Sequence, residues 1–329
     1  MFGYMMSLLP KNSRGCPFLI LAPMEGVGDR CFRKAMASIG GFDEGVRDFL
    51  RVPTNAHVKS LAFQYESDEI TPIPLAAQLM GSDPDLMADM AIEMEARGAK
   101  RIDLNCGCPS NTVTGRGAGS SLLKDPNLLH EIAKKMVQAV SVPVTAKLRS
   151  GFEDTSLFKE NLLAAQESGI AYLTLHPRTK VEGYGPPANW DLIAAAKSIL
   201  NIPVVGNGDI LTVEHALNML KHTGCDALMI GRGSVINPFI FHQIKSHFAG
   251  ETYHIQWNKL VTYFAVYLSE IGEGMNERSK INKMKQLFGF FFKGNEALLA
   301  KRDDILRASF NTIHECVEFT LPKLEEGFV

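Results

Sequence analysis

Short apolar runs alternate with longer amphipathic stretches over most of this chain, from about residue 18 to residue 235. Such an alternation is typical of repeated β-α units, in which each buried strand is followed by a helix that packs on the sheet. Eight runs have the length and composition of strands. They are residues 18–22, 45–49, 75–79, 101–105, 142–147, 171–176, 202–206 and 227–231, of which the second is the least regular.

The segments between these runs are predicted to be helices, and two of them carry clear start signals. Asp83 precedes Pro84, and Asp125 precedes Pro126, which is the order of an N-cap residue and a proline in the first helical turn. The clearest helices are predicted at residues 84–97, 126–140, 157–168 and 213–222. Eight strands separated by helices predict an α/β fold, a parallel (β/α)8 barrel of the TIM type. A doubly wound sheet is the alternative, but residues 23–28 lack the glycine-rich fingerprint that its first turn would need.

The pattern changes after about residue 245, where strand-like runs end and the rest of the sequence is predicted to be helical. We therefore predict two domains, a barrel domain at residues 1–244 and an all-helical domain at residues 245–329. Basic residues cluster between residues 278 and 302, although the helical domain as a whole holds eleven basic and eleven acidic residues. Charge alone leaves open whether the cluster is a nucleic-acid interface or a solvated helix surface. The cluster includes four aromatic residues that we predict to be helix core, Phe288, Phe290, Phe291 and Phe292.

Composition favours a soluble globular protein of the cytoplasm. Hydrophobic residues make up 46% of the chain, which is enough for a sizeable core. No apolar run approaches the roughly 20 residues that span a bilayer, and residues 1–6 lack the basic start of a secretory signal. The six cysteines are therefore expected to be free thiols. The net charge of −2 indicates no global affinity for nucleic acid, and we expect a monomer because no exposed stripe predicts an interface.

The most informative motif is residues 101–110, where a strand ends in a thiol held between glycine and proline. Gly107 and Pro109 cannot continue a strand, so Cys108 is expected at the carboxyl edge of the sheet, where barrels carry their chemistry. A free cysteine is often a core residue, so the motif alone leaves both roles open. The Cys106-x-Cys108 spacing is shorter than the usual gap between zinc ligands, and no second compact pair follows. We predict no metal site.

Polar residues also follow the other strands, and the carboxyl ends of barrel strands share one mouth. Residues 206–209 and 230–233 follow the last two strands and are rich in glycine. Glycine lets backbone N–H groups approach a phosphate closely, and Arg232 can pair with it. The sequence therefore predicts an anion site at this side of the mouth.

The remaining strand ends suggest a flavin attached to that phosphate. Gln78, Lys147 and His176 offer donors for the electron-rich edge of the ring, and Pro23 with Met24 offers a surface beneath it. A cation near the ring stabilises its reduced anionic form. We prefer FMN as the ligand, although any phosphorylated sugar or cofactor fits the phosphate site alone.

These motifs together resemble the tRNA-dihydrouridine synthases, FMN enzymes that reduce a uridine in tRNA with NADPH. The resemblance extends from Ala22 to about Phe241. Its motifs are residues 22–26, 78–81, 105–109, 147–151, 176–179, 206–209 and 230–233, of which 105–109 is the most diagnostic. Residues 106–113 and 178–184 are most similar to the bacterial DusC branch, which is associated with the sixteenth nucleotide, in the D-loop.

The resemblance implies a role for each matched residue. Cys108 is the expected catalytic acid, which gives a proton to C5 of the uridine while reduced FMN gives hydride to C6. Asn105 is expected to hold the substrate base, and Arg178 to lie where tRNA approaches. The helical domain is expected to recognise tRNA through a basic face that comprises Arg278, Lys280, Lys283, Lys285 and Lys293. The implied FMN contacts are Pro23, Met24, Gln78, Lys147, His176, Asn207, Gly208, Gly231 and Arg232.

Two departures from the family pattern and two rival functions stay open. Gly28 stands where the family more often has threonine, and Pro177 stands where glycine is usual. An FMN-dependent reductase of a small pyrimidine-like substrate would not need the basic helical domain. A non-catalytic tRNA-binding factor would not need Cys108.

Overall fold

A computed structural model of the chain describes residues 9–109, 117–272, 274–291, 293 and 296–328. Parallel strands, named β1 to β9 in chain order, form one sheet within these residues. The strands are β1 (Phe18–Leu21), β2 (Glu44–Val46), β3 (Leu50–Val52), β4 (Leu75–Gly81), β5 (Ile102–Cys106), β6 (Val144–Arg149), β7 (Leu173–His176), β8 (Val204–Asn207) and β9 (Ala227–Ile230). Because β1 pairs with both β2 and β9, and β2 also pairs with β4, the sheet closes into the predicted barrel.

Two short strands, β2 and β3, lie where the sequence predicted one strand at residues 45–49. Strand β2 pairs with the first residues of β4, where Gly45 faces Leu75, and β3 pairs with its last residues, where Leu50 faces Leu79. The break falls at Asp48, whose carboxylate accepts a hydrogen bond of 2.5 Å from the buried Arg33 guanidinium. Asp48 and Phe49, in the break between the two strands, both line the cavity at the mouth of the barrel.

Helices follow most of the strands and cover the outside of the barrel. They are α1 (Arg30–Ile39), α2 (Val58–Ala62), α3 (Pro84–Ala96), a 3-10 helix (Gly119–Lys124), α4 (Pro126–Ala139), α5 (Phe158–Glu167), α6 (Asp191–Ile199), α7 (Val213–Thr223), α8 (Arg232–Ile236) and α9 (Ile240–Ala249). Both predicted caps are confirmed, because Asp83 and Asp125 each accept hydrogen bonds from two backbone N–H groups of the first helical turn. The four predicted helices end within one or two residues of their predicted limits.

A buried ion pair lies within the barrel below the mouth. The Arg101 guanidinium donates to Glu44 at 2.6 Å and to Thr145 at 2.6 Å, and it lies 3.4 Å from the Asp103 carboxylate. All four side chains are buried. Buried charges are costly unless they are paired and hydrogen-bonded, and this network meets both conditions. The network includes a fully buried carboxylate, Asp103, in the interior of the barrel.

The chain beyond α9 is helical, as predicted. It forms α10 (Trp257–Glu270), α11 (Glu277–Phe291), α12 (Glu296–Arg307) and α13 (Ile313–Phe328). Phe288 and Phe291 are fully buried against Phe264, which confirms their place in the helix core. Phe290 is only partly buried and faces the barrel, whereas Phe292 lies outside the described residues. No helix in the described ranges is long and apolar enough to cross a membrane.

Ion pairs join these last helices to the barrel. Glu270 of α10 accepts hydrogen bonds from Arg30 and Lys34 of α1, and Lys283 of α11 lies 2.5 Å from the Asp29 carboxylate. Asp29 also caps the N-terminus of α1. The predicted boundary between residues 244 and 245 falls inside α9, and the division into two domains stays a prediction.

Candidate active site

A cavity of about 500 Å³ opens at the carboxyl ends of the barrel strands. The loops after the strands form its walls, and Phe290 of α11 contributes from the helical end of the chain. Eleven of the predicted site residues line it together: Pro23, Met24, Gln78, Asn105, Cys108, Lys147, His176, Asn207, Gly208, Gly231 and Arg232. The sequence prediction that strand ends share one mouth is therefore confirmed as geometry, while the role of each residue stays a prediction.

Glycines shape one side of this cavity. Gly208 has a φ of +122°, a conformation that residues with a side chain rarely adopt. A Cβ on Gly231 would lie 3.3 Å from the Met24 sulfur, which is tighter than ordinary contact. The local conformation and close packing thus favour glycine at these positions, and both residues line the cavity where the anion site is predicted.

Asp209 connects the two arginines on this side. Its carboxylate accepts hydrogen bonds from Arg178 at 2.5 Å and from Arg232 at 2.6 Å. Burial raises the pKa of Asp209, but the Arg178 hydrogen bond and the nearby cations outweigh it and hold that pKa below its ordinary value. The ionised Asp209 thus fixes Arg232, which keeps 41% of its side chain exposed for a ligand.

Arg178 is buried, and the expectation that it lies with the following loop where tRNA approaches stays a prediction. Its side chain is only 3% exposed, so it has almost no surface on which to meet an RNA. Besides Asp209, it donates to the Pro186 carbonyl at 2.6 Å, and one of its terminal nitrogens lies 3.5 Å from His176 Nε2. The geometry therefore places Arg178 behind His176 as a support. The exposed part of the same loop is Tyr184, at 58%.

The cations of the mouth change the protonation of their neighbours. Burial and the nearby Arg149 lower the pKa of Lys147 to about 8. Burial and the cations around it, first of all Lys147, lower the pKa of His176 well below its ordinary value, so its imidazole is neutral at pH 7. His176 Nδ1 is buried and has no hydrogen-bond partner among the described residues. A buried donor or acceptor of this kind needs a partner, which a bound ligand can supply.

A chain of hydrogen bonds runs upward from the buried carboxylate of Asp103. Gln78 donates to Asp103 at 2.7 Å and accepts from Asn105 at 2.8 Å. The Asn105 side-chain oxygen in turn accepts the backbone N–H groups of Gly107 and Cys108. Since a carboxylate can only accept, Asp103 determines which end of each amide is the donor. The side-chain amides of Gln78 and Asn105 therefore face the cavity in one fixed orientation.

Cys108 lies at the end of this chain, and its side chain contacts an acid that the sequence analysis missed. The Cys108 sulfur lies 3.3 Å from Glu25 Oε2, in the geometry of an S–H donor and a carboxylate acceptor. Cys108 is 6% exposed and lines the cavity. Residues 110–116, which include the end of the motif at 106–113, lie outside the described residues. The only sequence signal for Glu25 was its place in the first strand-end motif, directly after Pro23 and Met24.

Three aromatic residues at the cavity mouth were also missed as site residues. The Tyr184 ring lies between the guanidinium groups of Arg149 and Arg232, at 5.3 and 5.1 Å from its centre. Phe49 follows the break between β2 and β3, and Phe290 comes from α11. No local pattern in the sequence separates these from core aromatics, because only the tertiary packing turns them toward the cavity.

Most of the predicted basic face serves the packing of the helices. Lys280 pairs with Glu277, and Lys283 pairs with Asp29 of the barrel. Lys285 donates to the carbonyls of Leu306 and Ala308, which ends helix α12. Arg278 and Lys293 are exposed, and the Lys293 ammonium lies 5.3 Å from the centre of the Phe290 ring. Arg278 and Lys293 are thus exposed, whereas the other three are half-buried, and the role of all five toward tRNA stays a prediction.

A parallel barrel whose mouth combines glycine-rich loops, a set of cations and a thiol has the arrangement of a barrel enzyme with its active site at the strand ends. Residues 20–326 match the family model described as Dihydrouridine synthase (Dus), and the chain belongs to that enzyme family.

Relatives with assigned names agree with the family. The chain is 40% identical over 237 residues to a tRNA-dihydrouridine(16) synthase of Neisseria meningitidis serogroup B strain MC58, covering 70% of this chain and 71% of the relative. It is 35% identical over 307 residues to a tRNA-dihydrouridine(16) synthase of Pseudomonas putida, covering 88% and 95%. A histamine dehydrogenase from Rhizobium sp. 4-9 is 14% identical with a TM-score of 0.54, covering 71% of this chain and 46% of that one. That likeness supports the barrel fold.

Proposed function

We propose that this protein is a flavin-dependent enzyme that reduces a uridine of tRNA to dihydrouridine, with the sixteenth nucleotide as its target. The family match and the names of the relatives support the reaction and the position. The observation that carries the proposal is that a thiol, a set of cations and glycine-lined loops face one cavity. A reducing cofactor, its phosphate and a proton donor can therefore meet there.

FMN is the proposed cofactor, and NADPH the proposed reductant. The cavity volume lies within the range of about 300–1,000 Å³ that is usual for sites of this kind. The unpartnered Nδ1 of His176 and the backbone of Gly208, which lines the cavity, fit a ligand with acceptors and a phosphate. The residues that would hold it are Pro23, Met24, Gln78, Lys147, His176, Asn207, Gly208, Gly231 and Arg232. When bound and reduced, FMN supplies the hydride.

The chain supplies the proton and the position of the base. Cys108 is the proposed catalytic acid, because its thiol lies in the cavity and a thiol with a pKa near 8.5 is protonated at neutral pH. The Asn105 amide, oriented by Gln78, is the proposed donor to the substrate base. A uridine inside a folded tRNA cannot reach this depth, so it must be flipped into the barrel at a cost of roughly a few kcal/mol.

The helical domain at residues 245–329 is the proposed tRNA-recognition module. Phe290 brings it to the rim of the cavity. The exposed Arg278 lies in the first turn of α11, and the exposed Lys293 lies just beyond the last turn, near Phe290. Contacts to the RNA backbone made there can offset the cost of flipping the base.

We expect the double variant Arg278→Ala and Lys293→Ala to bind tRNA roughly tenfold more weakly at moderate salt, with a shallower dependence of affinity on salt because fewer phosphates are neutralised. Filter binding across a salt series measures both quantities. The matched control is Lys134→Ala, an exposed lysine on α4 of the barrel. Flavin content should be the same in all three proteins. Equal affinity of the double variant and wild type would refute the role of these two charges.

One experiment tests the proposed function as a whole. The purified protein is examined for a flavin spectrum and then incubated with NADPH and unmodified tRNA, and dihydrouridine is mapped by nucleotide. We expect a yellow protein and one modified nucleotide, at position 16. A yellow protein that reduces only a free pyrimidine would favour the small-molecule reductase. A colourless protein that still binds tRNA would favour the non-catalytic factor.

A further inference from the structure

The contact between Glu25 and Cys108 joins two loops that are far apart in sequence. Glu25 follows β1, whereas Cys108 follows β5, and only barrel closure brings them together. The Cys108 sulfur and Glu25 Oε2 are 3.3 Å apart, which is hydrogen-bond distance for a thiol. The Cys108 backbone is held independently, because its N–H donates to Asn105 at 2.9 Å. The contact of Glu25 is therefore with the thiol itself, separate from the hydrogen bond that holds the Cys108 backbone.

The other charges around the thiol make this contact significant. Arg149 of β6 interacts electrostatically with Cys108, and a cation favours the thiolate. Lys147 and Arg232 add positive charge to the same cavity, whereas His176 is neutral. On the acidic side, Asp48 also lines the cavity, but it is bonded to Arg33. These positive charges favour a thiolate, and a thiolate cannot act as an acid.

We propose that Glu25 is a positioning residue that keeps Cys108 in its protonated thiol form. Its carboxylate accepts the S–H hydrogen bond, which aims the proton donor, and its negative charge disfavours a thiolate beside it. This role rests on the proposed function, in which Cys108 is the proton donor. It also explains how a thiol serves as an acid in a mouth that carries three cations, Lys147, Arg149 and Arg232.

The proton balance of one turnover then closes on named atoms. The Sγ–H bond of Cys108 breaks, and its proton bonds to C5 of the pyrimidine while hydride arrives at C6. The thiolate left at Cys108 takes a proton from solvent water, and the exposed Glu25 carboxylate again accepts the S–H hydrogen bond of the restored thiol. No further oxidant or reductant is required, because the resting thiol is restored.

The test measures the thiol directly, without substrate. The flavin-loaded protein is treated with iodoacetamide between about pH 6 and pH 10, and the rate of alkylation at Cys108 is followed by peptide mass. For Glu25→Gln we expect roughly tenfold faster alkylation at pH 7, because loss of a nearby charge lowers the pKa of the thiol by about one unit. Glu25→Asp keeps the charge and should stay near wild type. Asp48→Asn removes a carboxylate that lines the same cavity but bonds to Arg33, and should also stay near wild type.

Three outcomes would overturn the proposal: an unchanged rate in Glu25→Gln, an equal increase in Asp48→Asn, or a wild-type thiol that titrates well below its ordinary pKa of about 8.5. The wild-type titration keeps the proposal testable even if the Gln variant does not fold. A protein that carries no flavin or forms no dihydrouridine would refute the proposed function, whereas the thiol titration would still give its own answer. Turnover adds a second readout, since the Gln variant should lose activity at a lower pH than wild type.

Discussion

Replacing Cys108 with alanine is expected to reduce dihydrouridine formation at least a hundredfold while leaving flavin binding and NADPH oxidation intact. A well-placed general acid contributes roughly a hundredfold to ten-thousandfold, and the variant removes the only atom that gives up the proton. Lys147 and Arg149 lie on β6 and His176 lies on β7, away from the loop that carries Cys108, so the cofactor side of the cavity should persist. Single-turnover reduction of tRNA, alongside NADPH oxidation, measures the two activities separately.

The neighbouring Cys106 provides the matched control. It lies on β5 two residues earlier, with a fully buried side chain, and burial together with Asp103 raises the pKa of its thiol. Cys106→Ala should lower the melting temperature through a small internal cavity but keep dihydrouridine formation. Undiminished product from Cys108→Ala, or an equal loss from Cys106→Ala, would remove Cys108 from its proposed role.

The barrel was predictable from sequence because its signal is repeated eight times. Each strand is short, apolar and followed by a helix, so errors in single elements do not change the fold class. The one strand that differed is interrupted at residues 47–49, where Asp48 pairs with Arg33, fifteen residues away in the sequence. A pairing of that kind leaves no trace in local periodicity.

The members of the site were predictable for a similar reason. Residues after the strands must converge at one mouth once the strands are parallel, and the eleven predicted residues that line the cavity all follow from that rule. The contact partners of these residues could not be predicted from that rule. Glu25 faces Cys108 because of the relative height of two loops, and Arg178 turns inward because Asp209 lies behind it.

The basic face shows that a sequence predicts where charged residues cluster better than it predicts what each of them contacts. The predicted cluster of lysines and arginines is present on α11. However, Lys283 joins that helix to the barrel, and Lys285 binds the carbonyl end of α12. A charge pattern cannot distinguish a lysine that meets solvent from one that caps a neighbouring helix, because both choices depend on where the second element lies.

Replacing Lys147 with methionine is expected to have two opposite effects. Flavin affinity should fall roughly tenfold to a hundredfold, because a charged hydrogen-bond donor is lost from the cavity. The flavin-free protein should become more stable at pH 7, because the pKa of Lys147 is lowered from about 10.5 to about 8 and its charge is therefore costly in the folded state. The shift corresponds to about 3 kcal/mol, or a melting temperature about 5 °C higher.

The pH dependence separates this cause from a change in packing. Below pH 8 the lysine is charged in both the folded and the unfolded state, so the folded state bears the full cost. Between about pH 8 and pH 10.5 the folded state releases the proton first, so wild-type stability should rise with pH and the advantage of Lys147→Met should shrink. Calorimetry of the flavin-free proteins at pH 7 and pH 9.5 measures this difference in stability. The control is Lys100→Met, which replaces an exposed lysine. A destabilised flavin-free Lys147→Met protein at pH 7 would show that Lys147 serves the fold, whereas a stabilised one would show that the barrel bears the cost of a charge held ready for its ligand.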